Sequence, residues 1–218
     1  MTNRSTLLLA LLGANDRFGE PEIHRTSLVK QVYLAESIRP LYRMWRETFA
    51  FVRYYYGPYS EDIFYELDTL IFNGLVEVTK HERHGGRLEA RYKITQAGRD
   101  LVDQTIPPEF RELGSDLVWA LQALGVQNVS AICKLVYQEP EFAKIFASHL
   151  NTPIAADSKV RIPAVTEANN QTFLTLALLE KLQLNKRIAD FVLPSRELVH
   201  IFLENLAQNV YAQRSNDQ

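Results

Sequence analysis

The chain has one cysteine in 218 residues, no long apolar run and no surplus of either charge. A lone Cys133 forms no internal disulfide, which fits a reducing cytoplasm. No stretch approaches the roughly 20 apolar residues of a membrane span. The run Leu7 to Leu12 is too short, and Asn15-Asp16-Arg17 follows it in place of a small-residue cleavage site. It reads as a first core helix, not as a signal peptide. Lys and Arg number 24 and Asp and Glu 26, for a net charge of -2. That balance excludes a general polyanion-binding surface, so any nucleic-acid contact has to come from a local patch.

Catalytic patterns are missing too. Gly85-Gly86 is not followed by the Lys-Ser/Thr of a phosphate loop. His81 and His84 are three apart on a hairpin, with no cysteine or carboxylate cluster beside them, so a metal site is not expected. His24, His149 and His200 are isolated, and Cys133 sits in an apolar helix as a small hydrophobe. The pair Glu61/Asp62 is explained by helix capping. The expectation is no enzyme, no metal and no cofactor.

What remains is a globular composition, 46% hydrophobic and 23% charged, long enough for one or two domains. Ser5 or Thr6 can cap a first helix, and Thr26 or Ser27 a second carrying Leu28, Val29, Val32 and Tyr33. Phe49 and Phe51 suggest a short strand before Tyr54-Tyr55-Tyr56-Gly57-Pro58-Tyr59, which breaks the chain. Ser60 is the natural cap of the next helix, whose buried stripe is Ile63, Phe64, Leu67, Leu70 and Ile71, with Gly74 to end it. A hairpin follows around His84-Gly85-Gly86, and Thr95 caps another helix. The spacing predicts an α+β fold, mostly α: an N-terminal winged helix-turn-helix with a β-hairpin wing over 1–106, then an all-helical domain over 107–218, divided at Pro107-Pro108. Residues 151–165 read as a long loop, and two longer helices are expected over about 166–186 and 194–212.

The hairpin register can be argued. A three-residue loop, His84-Gly85-Gly86, sets Val76 against Ile94, Val78 against Tyr92, Lys80 against Ala90 and Glu82 against Leu88. It also pairs Glu77 with Lys93 and His81 with Glu89. A two-residue loop would oppose Glu82 to Glu89. The first arrangement buries an apolar set and matches opposite charges, so it is the expected one.

Between 80 and 93 stand Lys80, Arg83, Arg87, Arg91 and Lys93 against Glu82 and Glu89. Arg83, His84 and Arg87 cluster at the Gly-Gly tip. Such a wing can lie along phosphates or enter a minor groove; its bland counterpart is a solvated, partly neutralised hairpin. The helix from Ser60 to Gly74 holds Glu61, Asp62, Glu66 and Asp68 and no Lys or Arg. In a major groove it would meet phosphate repulsion, although Ser60 and Thr69 could touch DNA. Its acids could instead dock a basic partner. Tyr54–Tyr56 read as a packed turn sooner than as a base-stacking platform. On the last helix, Val199, Phe202, Leu206 and Val210 form a sustained stripe, either a partner-docking face or simple packing.

Tyr55-Tyr56-Gly57-Pro58-Tyr59-Ser60-Glu61-Asp62, Leu67 to Leu75, Gly85-Gly86 and Tyr92-Lys93-Ile94-Thr95-Gln96-Ala97-Gly98 together resemble the YwgA-like bacterial winged-helix proteins. Thr26, Leu28, Lys30 and Val32-Tyr33-Leu34 match that family's second helix. Leu135 to Phe142 is a weaker echo. The resemblance covers about residues 5–145 and not the segment Ile38–Phe51 or the last helices. It implies a bacterial cytoplasmic protein with a winged helix and a helical C-terminal region, and it supplies no reaction to carry over. By analogy with similar winged-helix subunits, phage-defence or SMC-like ATPase assemblies are conceivable settings. The leading expectation is a non-enzymatic protein binding double-stranded DNA through its basic wing, with little base reading. The alternative is an adaptor in a larger complex, or a homodimer, with no membrane contact.

Overall fold

A computed structural model describes residues 1–44, 48–54, 57–84, 87–138, 161–162 and 194–216. Among them the chain is α+β and mostly helical, with two small antiparallel sheets. Helix α1 (Asn3–Arg17) runs through the middle. Leu7 to Leu12 and Ala14 are all buried, as expected of a helix packed on every side. Thr2, not Ser5 or Thr6, caps it, its hydroxyl accepting the Ser5 N–H at 3.1 Å. Strand β1 (Ile23–His24) leads into α2 (Arg25–Ile38). There the cap is His24, whose Nδ1 accepts the Thr26 N–H at 3.1 Å, in place of Thr26 or Ser27. Every residue of α2 from Ser27 to Ile38 is buried, polar ones included, because α1, α5, α6 and both sheets surround it.

A 3₁₀ turn over Arg39–Tyr42 follows, with Pro40 near its start. Strands β2 (Phe51–Tyr54) and β3 (Gly57–Tyr59) then form a hairpin where a plain break was expected. Gly57 makes this possible with a φ of 98°, a conformation L side chains rarely adopt. Helix α3 (Asp62–Phe72) buries Ile63, Leu67 and Leu70 of the predicted stripe and leaves Phe64 and Ile71 half-buried. Ser60 is not its cap: it is buried, and Glu61 precedes the helix without a side-chain capping bond.

Strands β4 (Val76–His84) and β5 (Arg87–Ile94) join β1 in a sheet ordered β1-β5-β4. The expected register holds at the base, where Val76 pairs with Ile94, Glu77 with Lys93 and Val78 with Tyr92. It fails beyond. Thr79 is an extra residue, and past it Lys80 pairs with Arg91, His81 with Ala90, Glu82 with Glu89 and His84 with Arg87. The reason is physical. The apolar base keeps one register and the outer pairs up to His84 and Arg87 keep another, and a bulge of one residue lets the ladder hold both.

Thr95 caps α4 (Gln96–Gln104) as predicted, accepting the Gly98 N–H at 3.1 Å and donating its own proton to the Gly74 carbonyl at 2.7 Å. Gly98 is required by close approach: a Cβ there would collide with the Leu75 carbonyl oxygen. Pro107 and Pro108 open α5 (Pro108–Ala123), and α6 (Val129–Tyr137) is capped by Asn128. Phe110, Leu113, Leu117 and Leu121 of α5 belong to the same core cluster as Leu7 to Leu12, so one core runs across Pro107-Pro108. Strand β6 (Arg161–Ile162) pairs with β2 inside the stretch expected to be loop. Helix α7 (Ser195–Asn216) packs on α5 and α6. The helix expected over 166–186 lies outside the described residues.

Candidate functional site

The bulge at Thr79 decides what the outer face of the first sheet presents. On β5, Ala90, Tyr92 and Ile94 turn inward and are buried. Arg91, Lys93 and Glu89 alternate with them and face out. In an uninterrupted ladder Lys80 would oppose Ala90 and point to the core. The extra residue brings it instead beside Arg91. Across the sheet His24, Arg91 and Lys80 stand abreast, since His24 pairs with Arg91 on the other side. Lys93 is paired with Glu77 at 3.2 Å and Lys80 with Glu89 at 3.8 Å. Among the described residues Arg91 has no carboxylate within ion-pair distance. Burial holds the His24 imidazole below its ordinary pKa; Glu89 opposes this and Arg91 and Lys80 add to it. A neutral ring fits its role as acceptor at the start of α2. The side chains of Arg83, His84 and Arg87 lie outside the described residues; the register alone puts Arg83 opposite Leu88 and His84 opposite Arg87.

The four acids of α3 do not form one free patch. Arg4 of α1 pairs with Asp62 at 2.7 Å, and Glu66 accepts from the hydroxyls of Thr2, at 2.6 Å, and Ser5. Glu61 and Asp68 stay exposed. Thr69 is exposed as well, its hydroxyl donating to the Tyr65 carbonyl at 3.0 Å. Tyr65 and Phe72 share this outer face, 64% and 91% exposed. Phe64 is taken up on both sides, with the Arg25 guanidinium 3.9 Å from its ring centre and the Tyr59 ring at 5.7 Å. Ser60 is inside and does not reach the surface. Tyr55 and Tyr56 lie outside the described residues.

The stripe on α7 is core. Val199, Phe202 and Leu206 are at most 3% exposed, covered by α5 and α6, so no docking face is left there. The Val210 side chain lies outside the described residues. Arg196, in the first turn of α7, donates to Asp116 at 2.8 Å, and Asp116 also accepts the Tyr42 hydroxyl at 2.8 Å.

Two buried polar groups escaped the sequence reading. Glu36, fully buried, accepts backbone N–H bonds from Thr48 and Phe49 and pairs with Arg39 at 3.1 Å. Burial pushes its carboxyl up to about 7, against the pull of Arg39 and those N–H groups. The signal was present: a Glu and an Arg three apart inside an otherwise apolar helix end. Lys30, 3% exposed, donates to the Pro58 carbonyl at 2.9 Å, and burial lowers its pKa to about 8. Cys133 is half-buried nearby, and burial raises its thiol.

Among the described residues no group of three or more His, Cys, Asp or Glu side chains could hold a metal ion. No described helix is long and apolar enough to cross a membrane. No protein-family model and no solved structure matches the chain. Over 82 residues it is 33% identical to the uncharacterised protein YwgA of Bacillus subtilis (strain 168), a match spanning 37% of this chain and 45% of that protein.

Proposed function

We propose that residues 1–106 form a winged helix, with β4–β5 as the wing, and that the chain binds duplex DNA mainly through that wing with little base reading. The observation that carries this reading is Lys80 beside Arg91 on the outer face of the sheet. Two cations abreast cost stability in the free protein, and neighbouring phosphates would relieve that cost. Glu61 and Asp68 on the outer face of α3 argue against seating that helix in the major groove, where phosphates would repel them. Contact through the backbone alone gives affinity with little sequence preference. In this reading the protein is a bacterial, cytoplasmic, non-enzymatic binder that uses no cofactor. The test is duplex affinity measured against salt, for the native chain and for Arg83→Ala/Arg87→Ala/Arg91→Ala. The triple change should flatten the slope of log affinity against log salt by about 3. An unchanged slope, or no binding by the native chain, sinks the proposal.

A second reading is an adaptor subunit of a multiprotein assembly, such as a phage-defence or SMC-like ATPase complex. Exposed Tyr65 and Phe72 favour it, because aromatic side chains supply much of the energy at protein interfaces. Co-purification with neighbouring gene products tests it. A protein that stays monomeric, captures nothing and binds DNA tightly would exclude it.

A further inference from the structure

A cavity of about 220 Å³ opens beside the cationic row, between the end of α1, the start of α2, the second half of α5 and the turn into α6. Its size is below the roughly 300 Å³ at which drug- and cofactor-sized sites begin, which favours a small ligand.

The wall from α5 and the following turn is mixed, with Val118, Leu121 and Val126 beside the amides of Gln122, Gln127 and Asn128. The floor is polar: Asn15 and Gln31, both buried, exchange amide hydrogen bonds of 2.8 and 3.1 Å. Asn15 spends its remaining amide proton on the Leu11 carbonyl. Gln31 keeps one N–H over, and the Ser27 hydroxyl, 4% exposed, has no hydrogen bond among the described residues. The mouth carries charges of both signs, Arg91 against Glu20 and Glu22.

We infer that this cavity binds a small zwitterion, a free amino acid with an aliphatic side chain. Its side chain lies on the Val118–Leu121–Val126 wall, its carboxylate meets Arg91, and its ammonium group meets Glu20 and Glu22. Ser27 and Gln31 supply the unspent hydrogen-bonding groups below. Arg91 is shared with the DNA-facing row. A bound carboxylate therefore withdraws one cation from that row, and the amino acid weakens DNA binding; this last step rests on the DNA-binding reading above.

The experiment has two readouts. Thermal unfolding of the full chain without DNA is followed with each of the twenty free L-amino acids at millimolar concentration, and with the carboxamide of any that act. At least one aliphatic amino acid should raise the melting temperature in a saturable way. Its carboxamide should not, and Arg91→Ala should weaken its binding at least tenfold. Ser27→Ala removes little volume and should weaken it several-fold in a folded protein. No shift with any amino acid overturns the inference, as does an equal shift by the carboxamide or full binding by Arg91→Ala. The second readout adds the active amino acid to the DNA titration, where the salt slope should fall by about 1. Failure to bind DNA at all leaves the melting result standing and removes only the coupling. DNA binding that ignores a bound amino acid likewise overturns the coupling.

Discussion

Lys80 lies directly across the ladder from Arg91, put there by the extra residue at Thr79. Like charges opposed on a sheet are destabilising by some tenths of a kcal/mol. Here the Lys80–Glu89 contact of 3.8 Å offsets part of that. Lys80→Ala should therefore leave the fold as stable or slightly more so, while flattening the salt dependence of DNA binding by about 1. Opposite movement of stability and affinity separates a binding residue from a structural one. Chemical denaturation and DNA titration of one preparation check both. A loss of stability with an unchanged slope would make Lys80 an ordinary surface residue.

Gly98→Ala should destabilise the chain by about 2 kcal/mol or more, because the added methyl group meets backbone, which cannot move aside like a flexible side chain. Thr95→Val keeps the shape and removes two hydrogen bonds of the same junction. About 1–2 kcal/mol is expected for it. Urea midpoints measure both.

Glu36→Ala should cost about 3–5 kcal/mol, since it leaves the buried Arg39 guanidinium without its carboxylate and two backbone N–H groups without their acceptor. The double change Glu36→Leu/Arg39→Met removes both charges and should cost clearly less than Glu36→Ala. If the double change costs the sum of two large single effects, the pair is not acting as a unit.

Lys30 gives a pH signature. Its folded pKa is about 8 against an ordinary 10.5, lowered chiefly by burial. Between those values the unfolded chain still holds a proton that the folded chain has released, so stability from this residue rises with pH across the window. Below pH 8 the penalty for its burial is complete. Relative to Lys30→Met, the native chain should gain up to about 3 kcal/mol as pH rises from 8 to 10.5. Unfolding curves of both proteins through that range give the difference, and a flat difference refutes the assignment.

Phe72→Ser should change stability by less than about 0.5 kcal/mol, as the ring is 91% exposed. If α3 docks a partner, the same change should abolish its capture in co-purification. Capture undiminished by Phe72→Ser places any docking surface elsewhere.

The parts legible in sequence were those whose causes are local. The stripe Ile63, Leu67, Leu70 and the cap at Thr95 depend on spacing and one side chain, and both were found where expected. Caps chosen between neighbours went astray where tertiary contacts compete. Glu66 holds the hydroxyls of both Thr2 and Ser5 at a helix that starts at Asn3, so the cap falls to Thr2, and Ser60 is drawn into the interior. The bulge at Thr79 was hidden because each half of the hairpin satisfies a different register, and pairing rules choose one for the whole. The α7 stripe looked the same whether covered or bare; only the position of α5 and α6 decides it.

The covered stripe of α7 also bears on biosynthesis. Val199, Phe202, Leu203 and Leu206 close a core whose other members come from as far back as Leu7. While that helix is still unmade on the ribosome, the faces of α5 and α6 that it covers remain bare to water. Contacts spanning so much of the chain are slow to form, and a half-made chain with an open apolar side is prone to association. Nascent chains stalled before Ser195 should therefore recruit chaperones more strongly than chains stalled well beyond Leu206.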